Sequence, residues 1–480
     1  MSKDPTPIRI IKTTRDQESI KGLKNICEED IDGEQPLSPT SRLFHEPGVN
    51  VYIVVIIGMK TFINVEVFKS YAKVLKDKNC RFSSLQVLNK ENGSMTWVPI
   101  NVDINNHVVV PELDPNLDSS DIYVEDYVSN LSRSHIESSK PLWDVHILNT
   151  KTTYANGICI FRFHHSIGDG ISLMNLLLAF SGKASNPEEL PTLYGEKASP
   201  HRIQITCSRS LLTILWNSIV ALVMFMLTAV FLKDTKTPIK GNPGIEGTPR
   251  RFVHRIVSFE DIKSTKRAMN VTVNDVILGV VQAGLYRYLK WRYENDDIVS
   301  ESIRLRAALF FNLRATTRVN PFGDDTSKHG TWGNDIGYVL LPFNIRYRKD
   351  VLDYVREARA SMERKKASLE PFCTSFLAKL VIKLFGVKVS GKLNYNVLSN
   401  VTLGYSSLPG PQEEIILFGH EVAYIAPSCY GQPMALAIHA VSYVDKVTFM
   451  ISVDEEIIPD PQTLCDDIQQ SLHLIKSSLA

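Results

Sequence analysis

The sequence has no excess of either charge. Its 53 Lys and Arg side chains meet 52 Asp and Glu, a formal net charge of +1. That balance gives no support to nucleic-acid binding, which ordinarily shows a basic excess. There is no CxxC pair either. Seven cysteines are scattered at Cys27, Cys80, Cys159, Cys207, Cys373, Cys429 and Cys465. Such spacing suggests neither a zinc site nor a redox motif, so no metal is expected. An odd, dispersed set fits a reducing compartment. Residues 1–20 are polar and charged and lack the apolar core of a secretory signal. No fixed-period repeat is visible. What is present is an ordinary globular composition, 44% hydrophobic and 22% charged. Over 480 residues, two domains are the natural expectation.

Residues 1–35 read as a polar lead. Beyond them, strand-like and helix-like runs mix. Residues 51–57 form a continuous apolar, β-branched run, the pattern of a buried strand. Residues 65–78 place Val67, Phe68, Tyr71 and Val74 on one helical stripe. Further strands are expected at 82–88, 95–102, 107–110, 143–148 and 158–163, with helices at 125–136 and 169–180. After a polar stretch, residues 211–232 carry no charge. As a helix they would reach roughly 33 Å, enough to cross a hydrocarbon core. Pro238, Gly241, Pro243, Gly244, Gly247 and Pro249 mark a linker after them. The second half has helical patterns at 273–293, 350–365, 374–385 and 461–479. Its strand patterns lie at 303–312, 336–341, 397–403, 415–418, 435–441 and 447–453. The expected class is α/β: a first half over 36–182, a linker over 183–250 holding the apolar segment, and a second half over 251–480.

One segment carries chemistry. The strand pattern at 158–163 runs directly into His164-His165-Ser166-Ile167-Gly168-Asp169-Gly170. Two imidazoles at a strand end can be held rigidly and often face a crevice. An imidazole of ordinary pKa about 6.5 accepts a proton at neutral pH. Asp169 could orient the ring or brace the loop through an Arg, and Gly170 leaves room for close approach. Adjacent strand residues point to opposite sides, which disfavours a shared metal. From these residues alone, a catalytic base and a tight turn with a satisfied core histidine both stay open.

The segment matches the HHxxxDG signature of the CoA-dependent acyltransferase superfamily. Pro36-Leu37-Ser38-Pro39 with Arg42-Leu43-Phe44 resembles the opening signature of the wax ester synthase/diacylglycerol acyltransferases, especially the plant type. Pro141-Leu142-Trp143 resembles their PLW motif, and Asn274-Asp275 their ND motif. Asn312-Leu313-Arg314, Gly333-Asn334 and Pro409-Gly410-Pro411 follow in the expected order. The DFGWG segment of plant hydroxycinnamoyl-type relatives is absent.

This resemblance implies two chloramphenicol acetyltransferase-like α/β domains with the active-site channel between them, plus one membrane-associated helix. It implies transfer of a fatty acyl group from acyl-CoA, a co-substrate with no bound cofactor, to a long-chain alcohol or to diacylglycerol. His165 would be the base, His164 a neighbour shaping the site, and Asp169 structural, with Arg314 as its candidate partner. Gly170 completes the motif. Trp143, Asn274 and Asp275 would contact substrate or shape the site; a core aromatic and a helix N-cap are the plain alternatives. The non-enzyme alternative is an inactive relative that binds lipid or a partner.

The apolar run at 211–232 creates a conflict. His165 precedes it and Arg314 follows it, so one simple crossing would separate the two parts of one site. A re-entrant or surface-lying anchor is expected, or a span compensated by a second. Residues 376–387, with an apolar stripe and Lys379 and Lys383 interspersed, offer a second contact or a core-facing helix. The expected location is the endoplasmic reticulum membrane with a cytosolic active site, or additionally the plasma membrane.

Overall fold

The computed structural model describes residues 35–89, 93–113, 120–194, 211–293, 303–314, 317–322 and 332–479. The polar lead expected over 1–35 therefore lies outside the described residues except for Gln35. Two large mixed sheets dominate. The first has seven strands in the order Val108–Val109, Trp143–Leu148, Gly157–His164, Tyr52–Met59, His420–Tyr430, Ile415–Leu417 and Ser181–Lys183. The second has six, in the order Ile336–Ile345, Ile303–Asn312, Leu403–Leu408, Leu436–Tyr443, Lys446–Asp454 and Arg250–Ser258. A small third sheet joins Gln35–Pro36, Met95–Pro99 and Ser84–Leu88. Each large sheet has its own apolar core.

The division of the chain at 183–250 describes its order but not its sheets. Strands His420–Tyr430 and Ile415–Leu417 come from the second half yet join the first sheet, pairing with Tyr52–Met59 and Ser181–Lys183. Alternating burial marks a segment as a strand but does not say which edge it will extend. The expected strand at 397–403 is corrected. Its first residues end the helix Val387–Asn400, and the strand is Leu403–Leu408. Val397, Leu398 and Val401 form a small buried cluster there, so the apolar residues face inward from a helix end. His420–Tyr430 itself is hidden in the sequence by Pro427, which lacks an N–H for a ladder. Pro427 pairs with Val55 on one side, and Ile415–Leu417 on the other side reaches only His420 and Glu421.

Leu211–Val230 is one helix. Among the described residues, Leu212–Val230 is the helix long and apolar enough to cross a membrane. It lies along the protein. Ile214, Ser218, Ala221, Phe225 and Ala229 are buried, at helical spacing, while Leu212, Leu215, Trp216, Ile219, Val223 and Val230 are exposed. Ser218 Oγ accepts from the Leu369 N–H at 2.9 Å, and Asn400 Nδ2 donates to the Thr228 carbonyl at 2.7 Å. The adjoining helix Glu370–Phe385 also exposes Phe372, Phe376, Leu384 and Phe385.

The far end of the apolar helix is fastened by Arg306, from strand Ile303–Asn312. Its Nε meets Asp234 Oδ1 at 2.6 Å, its Nη2 donates to the Leu232 carbonyl at 2.9 Å, and its Nη1 donates to Thr228. Thr402 Oγ1 donates to the other Asp234 oxygen at 2.7 Å. Both ionic side chains are almost wholly buried. Removing one partner leaves an uncompensated buried charge, which costs about 3–5 kcal/mol. Arg306→Leu is expected to destabilise by that amount in denaturant unfolding of the purified protein. The double variant with Asp234→Leu should lose clearly less than the sum of the two single losses.

Candidate active site

Strand Gly157–His164 ends where the chain turns into helix Gly170–Ala179. Phe161, Phe163 and His165 face a cavity between the two large sheets, and His164 faces away from it. The cavity holds about 240 Å³. Its walls are mainly apolar: Val51, Ile53 and Val55 from the first sheet, Leu173 and Met174 from the helix, and Leu408 from the second sheet.

His165 is gripped by residues far away in sequence. Its ring stacks on Phe44, with centroids 4.1 Å apart and planes 17° apart. Its Nδ1 lies 3.1 Å from Asn334 Oδ1. Asn334 Nδ2 in turn donates to the His165 carbonyl at 2.8 Å and to Ser41 Oγ at 3.1 Å. Those two acceptors fix which way the amide points. Nδ1 must then carry the proton, which leaves Nε2 with a lone pair. Burial pushes the His165 pKa below its ordinary value; its own carbonyl, Asp169 and Asn334 oppose the shift. The ring is therefore neutral and basic at neutral pH.

His164 does different work. Its Nε2 sits 2.9 Å from Asn50 Oδ1 and 3.1 Å from the Phe44 carbonyl, and its Nδ1 is 2.6 Å from Ser166 Oγ. Burial drives its pKa well down. It ties the strand end to the segment that carries Phe44.

Asp169 is the N-cap of helix Gly170–Ala179 and accepts from the Ser172 N–H at 2.9 Å. Its other oxygen meets Arg314 Nη1 at 2.7 Å and the Asp335 N–H at 3.0 Å. Arg314 also donates to Asn312 Oδ1 at 2.9 Å and to the Gly333 carbonyl at 2.8 Å. Arg81 and Trp332 both donate to the Ile167 carbonyl at 3.0 Å. The loop 165–169 is thus closed by residues 332–335. Gly333 adopts φ +123°, and a Cβ there would sit 3.0 Å from Arg81 Nη1, so glycine suits this turn on both counts. A Cβ on Gly170 would press on Leu408 at 3.0 Å.

Other expected site residues lie elsewhere. Trp143 is fully buried, stacked on His107 at 4.2 Å with its Nε1 donating to the Phe82 carbonyl at 3.0 Å. It does not line the cavity and packs as a core aromatic. Asn274 and Asp275 do not line the cavity either. Thr272 is the N-cap of helix Val273–Arg292, and Asp275 completes a reciprocal capping box with it. Asn274 is exposed and accepts from Ser407 at 3.1 Å. Asn334 and Phe44 stand in quoted motifs, but their contacts with His165 bridge 169 and 121 positions and leave no local spacing signal. Among the described residues, no group of His, Cys, Asp and Glu could hold a metal ion.

Two family models match the chain: the wax ester synthase/diacylglycerol acyltransferase catalytic domain over residues 64–277 and the WS/DGAT C-terminal domain over 332–476. Wax ester synthase/diacylglycerol acyltransferase 11 of Arabidopsis thaliana is 41% identical over 468 residues, covering 93% of this chain and 95% of the relative. Number 5 of the same organism is 42% identical over 496 residues, covering 97% of each. The chain belongs to the wax ester synthase/diacylglycerol acyltransferase family. The wax ester synthase/diacylglycerol acyltransferase from Marinobacter aquaeolei VT8 shares the two-domain fold. Its TM-score is 0.61 at 18% identity, covering 93% of this chain and 99% of that one. The first condensation domain of the CDA synthetase matches at TM-score 0.55 and 11% identity.

The geometry sets a pH signature for any reaction that uses His165 as a base. The neutral ring is lost as pH falls through its depressed pKa, so the acid limb of kcat/KM should lie below pH 6.5. Asn334→Asp puts a carboxylate beside Nδ1 and should move that limb upward. Asn334→Ala leaves the ring unoriented and should lower kcat roughly 100-fold with a smaller change in KM. Steady-state rates from pH 5 to 9 check both.

Proposed function

We propose that the protein transfers a fatty acyl group from acyl-CoA to a long-chain alcohol, forming a wax ester, and also to diacylglycerol, forming triacylglycerol. The observation that carries this reading is His165, held through Nδ1 by Asn334 on the wall of an apolar cavity. The free Nε2 takes the proton from the acceptor hydroxyl. The oxygen attacks the thioester carbonyl and forms a C–O bond. The tetrahedral intermediate collapses, the C–S bond breaks, and the CoA thiolate takes the proton back from the imidazolium. No acyl-enzyme is needed. In this reading Asp169 and Arg314 never exchange a proton with substrate; their pair holds the loop in place. Hydrophobic walls select an acceptor and a donor with apolar chains.

His165→Ala should lower formation of both esters about 10²- to 10⁴-fold. The assay gives labelled acyl-CoA and a panel of alcohols and diacylglycerol to membranes carrying the protein. Near-normal ester formation by the variant would remove His165 as the base. A wild type that makes no ester from any acceptor would favour an inactive lipid-binding relative.

The same reading places the protein on the cytosolic face of the endoplasmic reticulum, lying on the membrane without crossing it. Support comes from helix Leu211–Val230, which buries one stripe against the protein and exposes the rest, beside exposed Phe376 and Phe385. Lys379 and Lys383 on the neighbouring helix suit an anionic lipid surface. Tags on the two termini should be equally open to protease in sealed microsomes; protection of one alone would establish a crossing. Replacing exposed Leu215, Trp216 and Ile219 with Glu should release the protein to the soluble fraction while its unfolding stays cooperative.

A further inference from the structure

The cavity holds a second set of polar side chains that neither the base nor its loop uses. Ser428 and Cys429 belong to the strand that joins the first sheet, and His439 to the second sheet. His439 Nδ1 lies 3.3 Å from Ser428 Oγ, and its Nε2 lies 3.5 Å from Cys429 Sγ. Ser406 stands beside His439 in the parallel ladder. Gln432 follows at the turn. All five line the cavity.

These groups are under-used. The 3.3 Å contact of His439 with Ser428 is long for a hydrogen bond. Gln432 Nε2 donates to the Cys429 carbonyl across an equally long 3.3 Å. The Gln432 Oε1 is buried with no hydrogen-bond partner, in a residue only 4% exposed. Burial brings the His439 pKa down to about 4, so the ring is neutral and offers one N–H and one lone pair. Behind Gln432 lies Arg250, fully buried, whose Nη2 donates to the Ile245 and Gln432 carbonyls at 2.7 and 3.1 Å. Its Nε and Nη1 have no hydrogen-bond partner.

Burying an unpaired amide oxygen beside loosely paired donors is costly without something to fill the gap. An alkyl chain cannot fill it. A group with one acceptor oxygen and one donor hydrogen can: the oxygen faces Ser428 and His439, and the hydrogen faces Gln432 Oε1. We propose that Ser428, Gln432 and His439 form a second polar subsite, which holds a hydroxyl or a secondary amide of a bound substrate away from the reacting atoms. The hydroxyl would be the second one of a diol-type lipid acceptor. The secondary amide would be one in the CoA arm of the donor. The proposal rests on the acyl-transfer reading, since it assigns the group to a substrate of that reaction.

The test compares the full-length wild type with Gln432→Leu and Ser428→Ala, the second being the smaller change should the first fail to fold. Each receives a long-chain acyl-CoA with either a primary alcohol or an α,ω-diol of the same length, and kcat and KM are measured. If the hydroxyl binds there, the ratio of kcat/KM for diol over alcohol falls roughly tenfold in the variants. If the amide binds there, KM for acyl-CoA rises roughly tenfold with both acceptors alike and kcat changes less. An active wild type whose variants move neither the ratio nor the acyl-CoA KM by more than about twofold overturns the subsite alone. So does an equal fall in kcat for both acceptors at constant KM, which marks a structural role. A wild type that esterifies neither acceptor overturns the underlying reaction instead.

Discussion

The ion pair between Asp169 and Arg314 is the contact on which the site depends. Its 2.7 Å bond joins the loop that carries His165 to the segment after strand Ile303–Asn312. Both side chains are buried, with 2% and 3% exposure. A buried pair of this kind needs its remaining hydrogen-bonding capacity filled. Here Ser172, Asp335, Asn312 and Gly333 fill it. With the pair made, residues 332–335 are set against the histidine loop, and Asn334 reaches His165. The same carboxylate caps the helix Gly170–Ala179, so one side chain aligns loop, helix and the opposite half of the molecule.

Much of this was legible in the sequence, for identifiable reasons. Residues 65–78, 143–148 and 303–312 carry clean periodicity and form the elements Val65–Lys78, Trp143–Leu148 and Ile303–Asn312. The histidine segment stood out because a strand pattern runs straight into it. What stayed hidden is long-range or locally atypical. Nothing near Asn334 announces that its amide will meet a ring 169 positions earlier. Helix Val387–Asn400 contains Val387, Val389 and Gly391, which weaken its helical signal. Trp143 showed its aromatic character but not that its neighbours would enclose it entirely.

The two halves must meet, and that constrains the apolar helix between them. A helix that left the protein to cross a bilayer would part His165 from Asn334 unless the chain returned. Leu211–Val230 instead packs along helices Glu370–Phe385 and Val387–Asn400, with Arg306 and Asp234 at its end. Leu398, on the second of those helices, also lines the cavity. The layer that presents apolar side chains outward therefore adjoins the wall of the channel.

The placement of His420–Tyr430 has a consequence for how the chain comes together during synthesis. This strand lies directly beside Tyr52–Met59 in the first sheet. Until it emerges, Tyr52–Met59 presents an open, apolar edge, the kind of surface that recruits wrong partners. The ribosome must deliver more than 360 further residues before that edge is covered. The segment Leu211–Val230 appears about halfway through that interval. A nascent chain that settles this helix on a lipid surface first would wait there, half-built, for its last strands.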